Sequence, residues 1–421
     1  MAPSTITLLF LAFAIVNFIL EKIPLGLTAT IVAIGLNLTG VLDAVTVFKG
    51  YVNSNVILCV GMFVVGQALF ETGMANKIGG LVTRFAKSEK ILIAAVMIIV
   101  GTMSGFLSNT GTAAVLIPVV CGIADEAGYS RGRLLMPLAF AAALGGNISI
   151  IGAPGNLMGV NALQELGLKT SFFMYAPVGI PMLLVGSAYF VLFGYKLLPA
   201  GSGSAAAEEK TVLEFDDVPK WKQITSAVVL ILVILAMIFE EQIGIAIQVS
   251  ACIGACVLVL SGVISEKAAL ESIDLKVVLL FGGSLALANA LETTGAGTLI
   301  ADKIVSLLGA NPNPIILLLV IFCVTCLLTN FMSNTATTAL MVPIAVSLAN
   351  SLGADPRSVV IATVIAGSCA YATPIGMPAN TMVVGLGGYK FKDYVKAGMP
   401  LILTSFVICM ILLPILFPFY P

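Results

Sequence analysis

The sequence predicts an all-α polytopic membrane protein made of two inverted five-helix repeats, each with a re-entrant hairpin and a broken helix. Of the 421 residues, 59% are hydrophobic and only 10% are charged, whereas a soluble domain carries about 25% charged residues. Apolar windows of about 20 residues, long enough to span a bilayer, recur along the chain. The two halves also carry the same motifs in the same order. These three observations together predict the fold class.

Charge balance and residue types exclude several functional classes. The 20 Lys and Arg residues against 21 Asp and Glu give a net charge of −1, so we expect no nucleic-acid partner. The chain has no histidine, which removes the commonest metal ligand and general base. The eight cysteines are scattered through apolar stretches, where small packing residues are expected. An integral-membrane enzyme is therefore disfavoured, and no catalytic residue is predicted.

Ten apolar segments are predicted to cross the membrane. In the first half they lie near residues 4–20, 24–45, 54–76, 134–165 and 173–195. In the second half they lie near residues 223–240, 243–263, 275–295, 358–388 and 398–418. Two further apolar stretches, 91–124 and 304–354, carry a Ser-Asn-Thr sequence in their middle. Each of these is long enough for one crossing or for two half-helices.

The positive charges indicate how these two stretches are threaded. If both are re-entrant hairpins, sixteen of the 20 Lys and Arg residues share one side, and only Lys49, Lys169, Lys303 and Arg357 face the other. If each stretch crossed once, the split would be ten to ten. Cytoplasmic loops are enriched in Lys and Arg. The hairpins are therefore favoured, in a cell-membrane protein whose termini both lie outside the cytoplasm.

The domain organisation follows from these spans. Residues 1–198 form the first predicted repeat with hairpin 91–124, and residues 223–421 form the second with hairpin 304–354. The segment 199–222 is rich in Gly, Ser, Ala and mixed charge, which is typical of a flexible linker, here cytoplasmic. Each repeat has five spans, an odd number, so the second is inserted upside down. Inverted repeats of this kind are typical of secondary transporters.

Three blocks of sequence repeat at an offset near 225. Residues 104–120 read SGFLSNTGTAAVLIPVV and residues 329–345 read TNFMSNTATTALMVPIA, with seven of the 17 positions identical. The pattern I-G-x-P-x-N occurs at 151–156 and again at 375–380. A looser Gly, Ala-Leu and Thr-Gly pattern matches residues 61–73 with 283–295. Three blocks in one order indicate duplication, although each match alone is weak.

The duplicated motifs suggest where the binding chemistry lies. Ser, Asn and Thr at a hairpin tip are suited to cap a second half-helix, predicted to begin at Gly111 and Ala336. The N-termini of half-helices favour binding of an anion. A helix break at proline or glycine leaves carbonyl oxygens without helical hydrogen bonds, and such oxygens are suitable ligands for Na⁺. Capping and kinking without any ligand is the alternative, which the symmetric duplication disfavours. No charged residue occurs in 91–124 or 304–354, so amides, hydroxyls and bound cations would hold the anion.

These motifs resemble the divalent anion:sodium symporters, the sodium-coupled dicarboxylate and sulfate carriers of the ion transporter superfamily. The resemblance covers essentially the whole chain. It implies homodimers in the lipid bilayer that work by an elevator motion against a fixed scaffold. It implies one Na⁺ site at Ser104, Ser108, Asn109 and the Gly152 carbonyl, and another at Thr329, the Met332 carbonyl, Asn334 and the Gly376 carbonyl. The implied substrate residues are Asn109, Thr110, Ser333, Asn334 and Thr335, with Met377 and Pro378 beside them.

The chain departs from the family pattern at two positions. Family loops often read G-T-P-P-N and A-T-P-P-N, whereas Ala153 and Met377 stand here in place of the threonines. A methionine shortens the pocket and removes a hydroxyl partner, so a substrate smaller or less hydroxylated than citrate is expected.

The sequence therefore predicts a secondary active transporter of a small divalent anion, with a dicarboxylate as the favoured substrate and Na⁺ as the coupling ion. Two alternatives stay open within transport. One is an anion exchanger that uses the same pocket without net Na⁺ coupling. The other is a cation/proton antiporter or an arsenite-type permease of the same superfamily.

The sixteen-to-four charge split makes the topology testable. In a cysteine-free background, cysteines placed at Lys87 and Lys210 should react with impermeant reagents only from the cytoplasm, and one at Arg357 only from outside. Positions 87 and 357 labelled from the same side would contradict the re-entrant assignment.

Overall fold

The computed structural model describes residues 1–20, 22–81, 88–199, 218–308 and 313–420, and all regular secondary structure in these ranges is helical. The first half contains α1 (Pro3–Leu20), α2 (Leu25–Leu38), α3 (Ala44–Lys49), α4 (Ser54–Glu71), α5 (Met74–Gly79), α6 (Glu89–Ser104), α7 (Asn109–Ala127), α8 (Arg131–Gly146), α9 (Pro154–Glu165) and α10 (Ala176–Leu192). The second contains α11 (Lys220–Ile238), α12 (Glu240–Ile243), α13 (Ile247–Leu260), α14 (Glu266–Glu271), α15 (Leu275–Thr293), α16 (Ala296–Leu308), α17 (Pro314–Thr329), α18 (Asn334–Ser351), α19 (Pro356–Gly367), α20 (Pro378–Gly387) and α21 (Phe391–Leu416).

The all-helical membrane fold is confirmed. Six helical segments in the described ranges are long and apolar enough to cross a membrane, and shorter apolar helices accompany them. Large apolar side chains on the outer helices are exposed, among them Leu232 on α11 and Leu403 and Ile411 on α21. Lipid tails solvate such a surface, whereas water would not. The protein is a multi-pass membrane protein.

Each Ser-Asn-Thr stretch folds as two packed helices joined by a short tip. Helices α6 and α7 contact each other, as do α17 and α18. The second stretch begins later than predicted, because residues 304–308 belong to α16 and the first helix of the pair starts at Pro314. Asn313 accepts a hydrogen bond from the Ile315 N–H at 2.9 Å. An Asn cap followed by proline at the first helical position is a strong helix start.

Both I-G-x-P-x-N motifs break a helix where predicted, between α8 and α9 and between α19 and α20. A buried asparagine holds each break. The Asn156 side-chain nitrogen donates to the carbonyls of Gly146 and Ser149, both at 2.7 Å. Asn380 makes the equivalent bonds to Ala370 at 2.7 Å and Thr373 at 2.9 Å. These bonds satisfy carbonyls that the breaks remove from the helical ladder, as a buried site requires.

The two halves contact each other reciprocally. Helix α4 packs on α13, while α15 packs on α2. The same residue types make the two contacts: a Cβ on Gly61 would lie 2.8 Å from Ala251 Cβ, and one on Gly283 would lie 2.7 Å from Ala29 Cβ. At the centre, α9 packs on α18 and α20 packs on α7. Corresponding helices of the two halves therefore exchange matching contacts.

Part of the predicted linker lies outside the described residues, since 200–217 are not among them. Lys87 and Lys210, the two predicted cytoplasmic labelling positions, also fall outside. Arg357 lies in the first turn of α19, where its guanidinium pairs with Asp355. Burial raises the pKa of Asp355, but hydrogen bonds from Arg357 outweigh it, so the pKa lies below its usual value.

Candidate functional site

A serine caps the second helix of each hairpin. Ser108 Oγ accepts from the Gly111 N–H at 3.1 Å, and Ser333 Oγ accepts from the Ala336 N–H at 3.2 Å. The predicted capping is thus confirmed, but the predicted first residues, Gly111 and Ala336, were wrong. A cap hydroxyl bonds to the third helical N–H, so α7 and α18 begin at Asn109 and Asn334. The tip asparagine is therefore the first helical residue.

At the first tip, the side-chain amide of Asn109 ends in a cluster of oxygen atoms. The amide lies 2.7 Å from Ser104 Oγ, 3.0 Å from the Gly152 carbonyl oxygen and 3.1 Å from the Ala142 carbonyl oxygen. Ser104 is fully buried, and its hydroxyl donates to the Ala142 carbonyl at 2.7 Å. The hairpin, the end of α8 and the break loop therefore meet at one polar point.

The second tip has the same arrangement. The Asn334 amide lies 2.8 Å from Thr329 Oγ1 and 3.2 Å from the carbonyl oxygens of Gly376 and Gly367. Thr329 is fully buried and donates to the Gly367 carbonyl at 2.5 Å. Each position corresponds to its first-half counterpart at an offset of 224 or 225. The duplication thus reaches individual oxygen atoms.

Either end of a tip amide can face its cluster. With the nitrogen inward, the amide donates hydrogen bonds to the surrounding oxygens. With the oxygen inward, the cluster consists of oxygen atoms, and the amide oxygen and the carbonyls are acceptors that cannot bond one another. A hard cation among them would remove that conflict, because oxygen ligands suit hard cations. The nitrogen-inward orientation therefore satisfies the cluster by hydrogen bonds alone, whereas the oxygen-inward orientation leaves a set of oxygen atoms of the type that a hard cation binds.

The structure brings together most of the residues predicted to bind cations. Ser104, Asn109 and Gly152 meet in the first cluster, and Thr329, Asn334 and Gly376 meet in the second. Ser108 serves as a helix cap, and the buried Met332 lies at the second tip, before the cap Ser333. The prediction did not include the carbonyls of Ala142 and Gly367, which lie outside both the Ser-Asn-Thr and the I-G-x-P-x-N motifs. Only the repeat offset relates them in the sequence.

A cavity of about 400 Å³ lies between the two tips. All seven residues predicted to bind the substrate line it: Asn109, Thr110, Ser333, Asn334, Thr335, Met377 and Pro378. The prediction missed Thr338 and Ser368, and also Ser272 and Asp274, which precede or cap the start of α15. The predicted substrate residues therefore line one cavity, and the start of α15 forms another part of its wall.

Five helix N-termini border this cavity, because residues at the starts of α7, α9, α15, α18 and α20 line it. Serines cap α7 and α18, but Ala153 and Met377 stand at the N-cap positions of α9 and α20 without a side-chain cap bond. Uncapped N–H groups carry partial positive charge. No Lys or Arg is among the described residues that line the cavity. The cavity can thus attract an anion with main-chain dipoles.

One tyrosine at or near the start of the last helix in each half bonds to the short helix that follows the break, α9 or α20. Tyr175 OH donates to the Asn156 carbonyl at 2.8 Å, and Tyr394 OH donates to the Asn380 carbonyl at 2.7 Å. Both phenol rings are fully buried. No residue pattern predicted these contacts, because Tyr175 and Tyr394 lie 19 and 14 residues from their acceptors in the sequence.

Comparison with known proteins identifies the family. A family model described as a citrate transporter, CitMHS, matches residues 15–244 and 234–420. The chain belongs to the CitMHS citrate transporter family. It is therefore a transporter and not an enzyme. The resemblance to sodium-coupled carriers is confirmed, because several relatives are named sodium-dependent dicarboxylate transporters.

Several relatives of this citrate transporter family member carry functional names. A sodium-dependent high-affinity dicarboxylate transporter 3 from Caenorhabditis elegans is 27% identical, over 90% of this chain and 77% of its own. The sodium-dependent dicarboxylate transporter SdcS of Staphylococcus saprophyticus is 24% identical, over 95% and 84%. The crystal structure of the YdaH transporter of Alcanivorax borkumensis matches with a TM-score of 0.67 at 18% identity, over 99% and 98% of the chains. That last match concerns the fold alone.

Proposed function

We propose that the protein carries a small dicarboxylate across the membrane together with Na⁺. One observation supports this most directly: each tip asparagine ends in an oxygen cluster and also lines the cavity between the tips. A single side chain can then contact a cation and an anion at the same time. Relatives named sodium-dependent dicarboxylate transporters support the same assignment.

On the cation side, each cluster supplies one hydroxyl, one carboxamide and two main-chain carbonyls. Ser104, Asn109, Gly152 and Ala142 form the first proposed Na⁺ site, and Thr329, Asn334, Gly376 and Gly367 form the second. Broken helices in transporters coordinate Na⁺ through unwound carbonyls of this kind. The sites contain no titratable group, which favours Na⁺ over a proton as the coupling ion.

On the anion side, the two tips offer equivalent donors to the two ends of one substrate. Thr110 and Thr335 follow the tip asparagines and line the cavity, as do the uncapped starts of α9 and α20. A dicarboxylate could place one carboxylate at each tip. A cavity of about 400 Å³ is compatible with a small ligand of this class.

We infer that the orientation of the tip amides couples the two ligands. With Na⁺ bound, the amide oxygens of Asn109 and Asn334 face the cations, so their NH₂ groups turn to the cavity and donate to carboxylates. Without Na⁺, the NH₂ groups face the carbonyl clusters, and the oxygens turned to the cavity repel an anion. Each ligand thus favours the amide orientation that the other needs, which is positive coupling by linkage.

The repeat architecture suggests how the site is exposed to each side in turn. We propose that 1–198 and 223–421 are inverted repeats joined by the linker 199–222, which the reciprocal contacts of α4 with α13 and α15 with α2 support. The two hairpins would then be re-entrant and enter from opposite faces. An elevator motion of the hairpin-bearing part, in a homodimer of the cell membrane, would carry the site across.

Uptake into proteoliposomes tests the proposed function. Labelled succinate, citrate and sulfate are offered with and without an inward Na⁺ gradient. Succinate uptake that depends on the Na⁺ gradient supports symport. Uptake driven only by internal dicarboxylate would indicate an exchanger, and uptake driven by pH alone would indicate a proton-coupled member of the superfamily.

Removing one cluster hydroxyl should weaken cation binding selectively. Thr329→Val keeps the shape of a buried side chain that lies outside the cavity lining but loses a ligand oxygen, at about 1–3 kcal/mol. The Na⁺ concentration for half-maximal uptake should rise about tenfold, and the succinate KM should recover at saturating Na⁺. Thr325→Val is the matched control, because Thr325 Oγ1 is buried and has no hydrogen-bond partner among the described residues. Equal Na⁺ dependence in the two variants would refute the second cation site.

Supplying the missing cap at the second break should change selectivity. Met377 is an extended N-cap residue without a cap bond and lines the cavity. Met377→Thr adds a hydroxyl and removes apolar bulk, so binding of citrate relative to succinate should improve by about tenfold for each 1.4 kcal/mol recovered. Competition uptake with succinate, citrate and sulfate measures the ranking. An unchanged ranking would mean that residue 377 does not contact the substrate.

A further inference from the structure

Asp274 is the only charged side chain among the described residues that line the cavity between the tips. It stands at the N-cap of α15, where its carboxylate accepts a hydrogen bond from the Lys276 N–H at 3.0 Å, and it is exposed. A negative charge beside a cavity that is otherwise suited to an anion has no place in the function proposed above.

Helix capping does not account for the charge. Asn53 has the same capping role on α4, the first-half counterpart of α15: its side-chain oxygen accepts from the Asn55 N–H at 2.8 Å, and its side-chain nitrogen donates to Asn161 Oδ1 at 2.7 Å. Asn and Asp cap helices about equally well. The first half therefore shows that a neutral side chain serves the structural role, and the carboxylate in the second half calls for another explanation.

The carboxylate also belongs to a different packing unit from the tips. Helix α15 packs mainly on α2, and its contact with the hairpin helix α18 is much smaller. The tips and breaks lie on α7, α9, α18 and α20. Asp274 therefore approaches the anion cavity from outside the repeated hairpin-and-break elements. In an elevator motion the tips would move relative to this residue.

We propose that Asp274 lowers substrate affinity in this conformation by repelling the bound dianion. The repulsion favours release of the dianion from the cavity. The inference rests on the proposed dicarboxylate transport. A cavity of about 400 Å³ places a carboxylate on its wall within roughly 10 Å of any anion inside it, where the Coulomb interaction between unit charges is still appreciable. The repulsion scales with substrate charge, so a dianion feels it twice as strongly as a monoanion.

The opposite sign is the rival expectation. If Asp274 held a cation or accepted a hydrogen bond from the substrate, its neutralisation would weaken binding. If it only capped α15, its replacement by Asn would change nothing. The three roles therefore differ in the direction of one measured affinity.

Asp274→Asn in the full-length purified protein separates them, since the new side chain preserves the cap seen at Asn53. Equilibrium binding of labelled succinate is measured at constant, saturating Na⁺, with choline chloride added to vary ionic strength. We expect the Kd to fall by a factor on the order of ten, and the factor to shrink as salt screens the charge. Asp43→Asn is the matched control, because Asp43 is an exposed N-cap of α3 that accepts from the Thr46 N–H and does not line the cavity.

An unchanged or higher Kd in Asp274→Asn, with normal binding by the wild type, would overturn this inference and leave the transport proposal intact. Failure of the wild-type protein to bind succinate at all would overturn both. An equal fall in Kd in the Asp43 control would assign the effect to net charge and would also refute a local role.

Discussion

The requirement that freed main-chain groups be satisfied inside a membrane protein dominates this structure. Five helices begin at the cavity between the tips, and each start or break removes N–H and carbonyl groups from a helical ladder. Lipid offers these groups no hydrogen bonds, so the protein must supply partners. Asn156 and Asn380 take up part of the freed carbonyls, and the tip amides of Asn109 and Asn334 face others. Gly155 and Ala379, at the uncapped starts of α9 and α20, border the cavity.

The proposed ligand binding uses the main-chain groups that have no partner within a helix. Carbonyls that protrude from a break are ready ligands for a hard cation, and uncapped helix starts are ready partners for an anion. The tip asparagine is the natural connection, because a carboxamide has an acceptor at one end and a donor at the other. Because the motif occurs twice, one cavity has a tip asparagine at each of its two ends. Each of these asparagines can contact a cation and an anion. A dicarboxylate has two matching ends.

The sequence predicted the parts of the site that have a residue-type signature. Ser-Asn-Thr inside an apolar run marks a tip, and I-G-x-P-x-N marks a break, so Asn109, Asn334 and the cavity wall were identified. The carbonyls of Ala142 and Gly367 were not identified, because these residues lie outside both motifs and a carbonyl alone has no residue-type signature. Tyr175 reaches the first break, and Asp274 reaches the cavity wall, only through the packing of α10 and α15, which periodicity does not encode. Exact helix starts also depended on cap geometry, as the shift from Gly111 to Asn109 shows.

The central claim is that cation and anion binding are one coupled event at the two tips. The most direct measurement is the equilibrium Kd for labelled succinate as Na⁺ replaces choline at constant ionic strength and pH. The account predicts that the Kd falls as Na⁺ rises, with a logarithmic slope steeper than one because two equivalent clusters fill. A Kd that does not change when Na⁺ is replaced by choline would contradict it.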